Sequence, residues 1–400
     1  MPASSLRSLA RRPPDAAPST GVPPAGEGRR LRIALVTEYY YPHLGGICEH
    51  VHFFAQEARR RGHEVDIITS QIPGARPAPH VIRLGHSVPV YANGSMARVT
   101  VGWGLRGQMR EVLRRGQYDI VHVHSPLTPV LPLLAIAEAR CPVVGTFHTY
   151  FDGRSLGYTV FRRALQKRLD RLDAAIAVSQ TATTALTRYF EADWRIIPNG
   201  IDTTLFRPDA PAPKDVERDV PTILFLGRFD PRNGLTRLID SFRAVRGRRR
   251  PVRLVVVGDG PLREHYYRAA AGDPDIHFAG SVLGARPGYY ANSTIYACPT
   301  TKASFGITLL EAMACRTPIV CSDIPGFRDV VAHEREALLV PCGDNGLLAD
   351  ALVRLLDDAP LRERLAATGR EHSLAYAWPR VTDEVLGVYG GVLGHTAAHA

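Results

Sequence analysis

The residues best suited to chemistry lie in the segment Lys302–Ala314, which follows a short apolar run. Leu309 and Met313 recur there at helical spacing, and Gly306 lets a bulky group come close to the backbone. A helix that begins after a strand presents unpaired N–H groups and the positive end of its dipole to an anion, most often a phosphate. We therefore expect a phosphate-binding turn here, with Ser304 or a near neighbour capping the helix.

Glu311 lies about two turns into this predicted helix, and its sequence context leaves two interpretations open. The carboxylate could hold a pair of sugar hydroxyls beside the phosphate. Alternatively, it could be a solvated glutamate in an ordinary strand–loop–helix unit.

The composition of the chain bounds its class. A length of 400 residues exceeds the size of one hydrophobic core, so two domains are expected. The formal charge of +10 favours an anionic partner: a nucleotide, a nucleic acid or an acidic membrane face. No run approaches the roughly 18 apolar residues of a membrane span. The six cysteines form no CxxC pair, which is typical of reduced thiols and predicts a cytoplasmic protein.

Alternating strand and helix patterns organise the rest of the chain into two similar units. The first begins with the apolar strand Leu31–Thr37, followed by Gly45-Gly46 and a helix, and its series predicts one doubly wound parallel sheet. The predicted organisation is a disordered basic tail over 1–30, a Rossmann-like domain over 31–207, a linker over 208–221, a second Rossmann-like domain over 222–375, and a C-terminal helix with tail over 376–400 that returns to the first domain. The predicted fold class is α/β, with a ligand cleft between the two units.

A series of motifs carries a resemblance to a known family. They are Pro42…Gly45-Gly46…His50, Thr146-Phe147-His148-Thr149, Val178-Ser179, Ile197-Pro198-Asn199-Gly200-Ile201-Asp202, Gly227-Arg228-Phe229, Val257-Gly258-Asp259-Gly260 and Ser304-Phe305-Gly306…Leu310-Glu311-Ala312-Met313. In this order they resemble the retaining GT-B glycosyltransferases that carry an E-x7-E motif. The segment Asn93–Arg98, together with His148, is similar to the phosphatidylinositol mannosyltransferases, although Ala92 replaces the aromatic residue that usually precedes it.

The resemblance implies a nucleoside-diphosphate sugar in the cleft, with its base and ribose against the second domain. Arg228 would pair with the diphosphate, Gly46 would close over it, and Glu311 would hold the ribose. The remaining donor-binding residues implied are Arg232, Asn233, Val282, Ser304, Phe305, Gly306, Ile307 and Thr308. Donors fixed around the departing oxyanion would stabilise it as the glycosidic bond breaks.

The resemblance also implies the acceptor site and the chemistry. Asn93, Ser95 and Arg98 would hold an inositol-phosphate head group, and His148 would lie near both sugar and acceptor. Reaction would occur on one face of the sugar through an oxocarbenium-like transition state. No protein nucleophile, cofactor or metal ion is expected.

Three positions depart from the family pattern. The first glutamate of the E-x7-E motif is Ala303, and the usual lysine after the Gly-Arg pair is Asn233. Losing a charged contact made in the transition state lowers a rate by orders of magnitude, unless Arg232 or Lys302 supplies the missing cation. Arg316 stands where the family usually has a glycine, and we interpret that change as structural.

Several other signals admit a structural interpretation. His122 and His124 alternate at a strand end and either flank the cleft or pack in the core. They lack a helical histidine or cysteine partner, which argues against zinc. The pair Asp273 and Asp275 is expected in a helix-to-strand turn, and Gly258-Asp259-Gly260 alone is a weak dinucleotide signal.

Basic and apolar residues are interleaved in two predicted helices. One contains Phe161 and Leu165 among five cationic residues, and the other follows Trp103. Such patterns suit an anionic membrane surface, but they also occur in ordinary amphipathic helices. Nucleic acid is disfavoured because exposed stacking aromatics do not accompany the arginines.

The combined prediction is a hexosyltransferase that moves mannose from GDP-mannose onto phosphatidylinositol or a related lipid at the cytosolic face of the plasma membrane. Two alternatives stay open. One is transfer to a soluble acceptor or another glycolipid. The other is a sugar-nucleotide-binding protein with little turnover, which Ala303 and Asn233 would permit.

Overall fold

The computed structural model describes residues 29–43, 45–92, 95–151, 153, 155–217, 219–282 and 284–398. They form two α/β units, each built on its own sheet, which confirms the predicted fold class. Of the helices in these ranges, none has the length and apolar character needed to cross a bilayer.

The first sheet has eight strands in the order β4-β3-β2-β1-β5-β6-β7-β8. They are β1 Arg32–Val36, β2 Glu64–Gln71, β3 Val81–Ala92, β4 Ser95–Val101, β5 Ile120–His124, β6 Val143–Phe147, β7 Ala174–Ala177 and β8 Trp194–Ile196. All neighbours pair in parallel except β3 and β4, which are antiparallel. The expectation of a wholly parallel sheet was therefore wrong at this edge. The turn of this hairpin, Asn93-Gly94, lies outside the described residues.

Five helices of the first unit cover both faces of this sheet. They are α1 Gly46–Arg60, α2 Leu105–Gly116, α3 Leu131–Glu138, α4 Leu156–Leu169 and α5 Gln180–Leu186. Strand β1 shows how the faces are divided, because successive side chains point in opposite directions. Ile33 and Leu35 pack with α1, whereas Ala34 and Val36 pack with α2 and α3.

The second sheet is parallel and has six strands in the order β11-β10-β9-β12-β13-β14. Its strands are β9 Thr222–Leu226, β10 Arg253–Val257, β11 Ile276–Gly280, β12 Ile295–Cys298, β13 Ile319–Ser322 and β14 Ala337–Val340. The helices that follow in the chain are α6 Leu235–Arg248, α7 Arg263–Ala269, α8 Arg286–Ala291, α9 Ile307–Ala314, α10 Pro325–Arg328, α11 Asn345–Asp357, α12 Ala359–Ser373 and α13 Trp378–Ala398. Two cores again lie on opposite faces, with Leu224 in one and Phe225 in the other.

The chain passes between the units twice. The first passage, residues 208–221, has no regular element among its described residues, but Asp215 ties it to the second unit by accepting hydrogen bonds from Tyr289 and His277. The second passage brings α13 back to the first unit, where Val381, Val385 and Tyr389 join the core beside α1.

Arg316 has a structural explanation of the expected kind. It follows the end of α9 with a φ of 60°, in the left-handed region that favours glycine. The family's glycine at this position therefore fits the backbone, and the arginine has adopted the same conformation. Its guanidinium pairs with Glu363 at the surface.

Glu38 is a buried carboxylate that holds the edge hairpin to the sheet. It accepts hydrogen bonds from the backbone N–H groups of Thr100 in β4 and of Val130 and Leu131 at the start of α3. Burial raises the pKa of Glu38, and these hydrogen bonds act in the opposite direction. One side chain therefore satisfies three backbone donors from two elements.

We expect Glu38→Gln to lower the free energy of unfolding by about 2 kcal/mol, because the new amide turns a donor toward backbone donors. Urea unfolding followed by circular dichroism would measure this free energy. The control is Glu217→Gln, at a residue whose side chain is largely exposed. Equal stability of the two variants would show that Glu38 is not an anchor.

Candidate active site

The two units face each other across a cleft of about 1220 Å³, lined by loops at the carboxyl ends of the strands. Of the predicted site residues, the first unit contributes Gly46, Arg98 and His148, and the second contributes Arg228, Arg232, Asn233, Val282, Ser304, Phe305, Ile307, Thr308 and Glu311. Gly306 lies between two of these lining residues. Ser95 is the first residue of β4, where the structure describes the backbone but not the side chain. Asn93 lies outside the described residues.

The start of α9 forms the wall of the cleft opposite α1. Its N-cap residue is Gly306, a near neighbour of Ser304, and no side chain caps the helix, so the expectation holds for the neighbour and not for Ser304 itself. The Ser304 carbonyl instead accepts a 2.6 Å hydrogen bond from the Ser179 hydroxyl of the first unit. The first turn of α9 is thus left without a side-chain cap beside the cleft.

Gly46 lies where the two units approach each other most tightly. A Cβ atom built on this residue would lie 2.8 Å from Cδ1 of Ile307. A glycine at the start of α1 therefore allows the two helix N-termini to face each other across the cleft. This geometry suits the closing role that the resemblance implies for Gly46.

Glu311 is 1% exposed, so its interpretation as a solvated glutamate was wrong. The Arg286 guanidinium lies 3.0 Å from one carboxylate oxygen, and the Tyr290 hydroxyl donates a 2.8 Å hydrogen bond to the other. The same guanidinium reaches Glu49 of α1 at 2.7 Å. Two carboxylates from opposite units thus share one cation, whose side chain is 18% exposed.

Electrostatics in this triad follow from its burial. Desolvation raises the pKa of Glu311, while Arg286 opposes that shift. The two carboxylates, Glu311 foremost, raise the pKa of Arg286, which therefore stays charged. Sequence reasoning missed Arg286 and Glu49, because nothing in their spacing indicates that they meet Glu311.

Two arginines from opposite walls act on His43 at the mouth of the cleft. Burial, together with the smaller effect of the charges of Arg98 and Arg228, lowers the pKa of His43 to about 4. The side chain of Arg228 is exposed, and no described carboxylate lies within ion-pair distance of it. A strip of positive charge therefore crosses the cleft from one unit to the other.

Two of the residues that depart from the family pattern, Asn233 and Ala303, line the cleft. Asn233 donates a 2.7 Å hydrogen bond to the Arg228 carbonyl and so supports the loop rather than adding charge. Arg232 and Lys302 also line the cleft, where the sequence predicted a replacement cation. Ala303 lies between Lys302 and Ser304 on the cleft wall.

Three buried histidines lie beside His148. His122 in the middle of β5 packs in the core, with Nδ1 2.6 Å from the Tyr389 hydroxyl and Nε2 2.7 Å from the Thr146 hydroxyl. His124 lies on the same strand and its Nδ1 is 3.2 Å from Nε2 of His148. His50 of α1 completes the group, with ring centroids 5.3 Å from His124 and 4.8 Å from His148.

Burial keeps these rings neutral. It lowers the pKa of His50 to about 4 and that of His122 to about 3, and it lowers the pKa values of His124 and His148 well below the ordinary range. Linear spacing could not reveal this group, since its members come from a helix and two strands.

The weaker sequence signals have structural explanations. A Cβ atom on Gly258 would lie 2.0 Å from the Gly227 carbonyl oxygen, so this turn needs glycine for close packing of two loops. Asp273 pairs with Arg246 and its carboxylate accepts a hydrogen bond from the Asp275 N–H, as expected of a helix-to-strand turn.

Comparisons with known proteins agree with this geometry. Residues 44–205 match the family described as Glycosyltransferase Family 4, and residues 220–358 match Glycosyl transferases group 1. The phosphatidyl-myo-inositol mannosyltransferase of Mycobacterium leprae is 35% identical over 90% of this chain and 96% of its own length. A GDP-mannose-dependent alpha-mannosyltransferase of Mycolicibacterium smegmatis is 31% identical over 92% of this chain and all of its own.

Solved structures agree in fold. Sucrose-phosphate synthase from Thermosynechococcus elongatus superposes with a TM-score of 0.71 at 23% identity, over 93% of this chain and 100% of that one. The chain therefore belongs to the GT-B glycosyltransferases, in the family that includes the phosphatidyl-myo-inositol mannosyltransferases.

Proposed function

We propose that this glycosyltransferase moves mannose from GDP-mannose to phosphatidylinositol, or a closely related lipid, with retention at the anomeric carbon. The observation that carries the proposal is the strip of positive charge formed by Arg98 and Arg228 from opposite walls, with His148 lining the same cleft. Two guanidiniums on two units suit a reaction between two phosphorylated partners.

The donor would lie against the second unit. Arg228 would pair with diphosphate oxygens beside the N-terminus of α9, whose dipole also favours negative charge. Glu311 lies deeper, where a carboxylate can accept hydrogen bonds from ribose hydroxyls. Ile307 and Thr308 would direct their N–H groups at the diphosphate. Charge developing on the leaving phosphate would meet donors that are already in position.

The acceptor would lie against the first unit. Arg98 in β4 reaches the cleft and would pair with the lipid phosphate, while the adjoining Asn93 and Ser95 would hold the inositol ring. His148 lies between this edge and the donor wall. Relatives at 31–35% identity that are named for GDP-mannose and for phosphatidyl-myo-inositol support these choices of donor and acceptor.

The surface of α4 suits an anionic membrane at the cytosolic face. Leu156, Val160 and Phe161 are 77%, 64% and 61% exposed on this helix. Its residues Arg163, Lys167 and Arg168 have no ion-pair partner within the described part of the chain, whereas the four arginines of α2 all pair with glutamates. Exposed apolar residues beside unpaired cations favour α4 over α2 as the membrane face.

One observation favours the second candidate, a sugar-nucleotide-binding protein with little turnover. The cleft wall carries Ala303 where the family has a glutamate, and Asn233 is bonded to backbone rather than available to phosphate. Donor binding would survive these changes better than transfer would. Incubation with radiolabelled GDP-mannose and phosphatidylinositol, followed by lipid extraction, separates the two. Label in the lipid phase supports transfer, and an α-linked product would establish retention.

We expect Arg98→Ala to raise the KM for phosphatidylinositol by about 10- to 100-fold, because a charge-assisted hydrogen bond to phosphate is lost. The KM for GDP-mannose should change little. Arg195→Ala, an exposed arginine on β8, is the control. An unaltered lipid KM would exclude Arg98 from the head-group site.

We expect Glu311→Gln and Glu49→Gln to differ in nucleotide affinity. Each removes one carboxylate from Arg286, but only Glu311 would touch the ribose. Calorimetric titration with GDP should show at least about tenfold weaker binding to Glu311→Gln and a smaller change for Glu49→Gln. Equal affinities for GDP would mean that Glu311 pairs with Arg286 but does not contact the ribose.

We expect the double substitution Val160→Ser and Phe161→Ser to weaken binding to vesicles containing phosphatidylinositol by at least about tenfold, because two apolar side chains no longer enter the lipid. Co-sedimentation measures this, with phosphatidylcholine vesicles as the weakly bound reference. Unchanged sedimentation would exclude α4 as the membrane face.

A further inference from the structure

We propose that His50, His124 and His148 form a binding site for a divalent transition-metal ion of the Zn²⁺ class. One nitrogen from each ring can be chosen so that all three lie within 4.8 Å of one another. The three residues belong to α1, to the end of β5 and to the segment directly after β6. The fold therefore assembles from distant parts of the chain what local spacing does not suggest.

The distances fit imidazole coordination. Two nitrogens bound to one tetrahedral Zn²⁺ ion at about 2.0–2.1 Å lie about 3.4 Å apart. Nδ1 of His124 and Nε2 of His148 are already separated by 3.2 Å. The limit of 4.8 Å for one chosen nitrogen from each ring exceeds that spacing by about 1.4 Å. Small ring rotations can make up this difference.

The lone pairs needed for coordination are present. Oδ1 of Asn199 can only accept, so Nδ1 of His50, 2.9 Å away, carries the proton and Nε2 keeps its lone pair. Metal-binding histidines commonly make this kind of outer hydrogen bond. Nε2 of His124 has no hydrogen-bond partner in the described residues, so it can carry the proton of this ring and leave Nδ1, the atom beside Nε2 of His148, with its lone pair.

The position of the cluster allows an ion to enter from the cleft and to affect His148. His148 lines the cleft, so an ion can enter from there and keep a fourth coordination position facing the substrate. Imidazole ligands select Zn²⁺, Cu²⁺ or Ni²⁺ over Mg²⁺ and Mn²⁺, which prefer oxygen. The ion would engage the one histidine assigned to the sugar site, so it would inhibit transfer rather than assist it.

The test uses Co²⁺ as the spectroscopic probe on the full-length, untagged, EDTA-treated protein. We expect one equivalent of Co²⁺ to give the intense visible absorption of a four-coordinate ion, and Zn²⁺ to abolish it. A cysteine ligand would reveal itself through an added near-ultraviolet thiolate band, which we do not expect. Because the readout is spectroscopic, it holds whether or not the proposed transfer reaction is correct.

Matched variants locate the site. His124→Gln should weaken Co²⁺ binding at least tenfold, while His265→Gln, an exposed histidine on α7, should leave the spectrum unchanged. His50→Asn provides a second removal if His124→Gln does not fold by circular dichroism. The proposal is overturned if the unmodified protein gives no visible band at one equivalent, or if removing a cluster histidine leaves the band intact.

Discussion

The arrangement of the two units depends on one largely buried cation, Arg286, shared by Glu49 and Glu311. Bringing three charges out of water is costly, and their mutual attraction offsets that cost only when the geometry is good. Such a cluster contributes more to specificity than to stability, because any other alignment of the units would leave a buried charge unpaired. The relative placement of α1 and α9, and with it the shape of the cleft, follows from this requirement.

The triad also links architecture to chemistry. Arg286 and Tyr290, two side chains of the protein itself, hold the Glu311 carboxylate, so in the proposed donor site its orientation is already set. Preorganisation of this kind reduces the free energy lost on binding. The Phe206 ring lies 5.6 Å from the guanidinium carbon of Arg286, which adds a cation–π contact to the same group.

The sequence predicts the two α/β units well, because buried parallel strands and their helices leave a strong alternating pattern. It predicts one wall of the cleft for a similar reason, since the residues around Gly306 and Glu311 are contiguous. It fails where residues meet only in three dimensions. The β3–β4 hairpin was missed although Asn93-Gly94 is a strong turn signal, since a parallel sheet was assumed throughout. No pattern in the sequence around Arg286 indicates that it pairs with Glu49 and Glu311.

The buried histidines are a second example of residues that meet only in the folded chain. His50, His122 and His124 lie on a helix and a strand that the sequence patterns predict, and His148 directly follows β6. Their proximity nevertheless depends on the order in which strands β1, β5 and β6 lie side by side. Strand order is a property of the whole sheet. It cannot be obtained from one motif at a time.

The two crossings between the units lie side by side, which has a mechanical consequence. Ile201, shortly before the first crossing, pairs with the second. Its N–H donates a hydrogen bond to the Tyr376 carbonyl, and its carbonyl accepts one from the Trp378 N–H. Two units joined at one place can rotate about that place as a hinge, whereas connections at opposite edges would prevent the rotation. Opening the cleft for a bulky substrate would have to release contacts such as Ser179–Ser304, Thr181–Asp329 and Arg286–Glu49, while the hydrogen bonds of Ile201 stay intact.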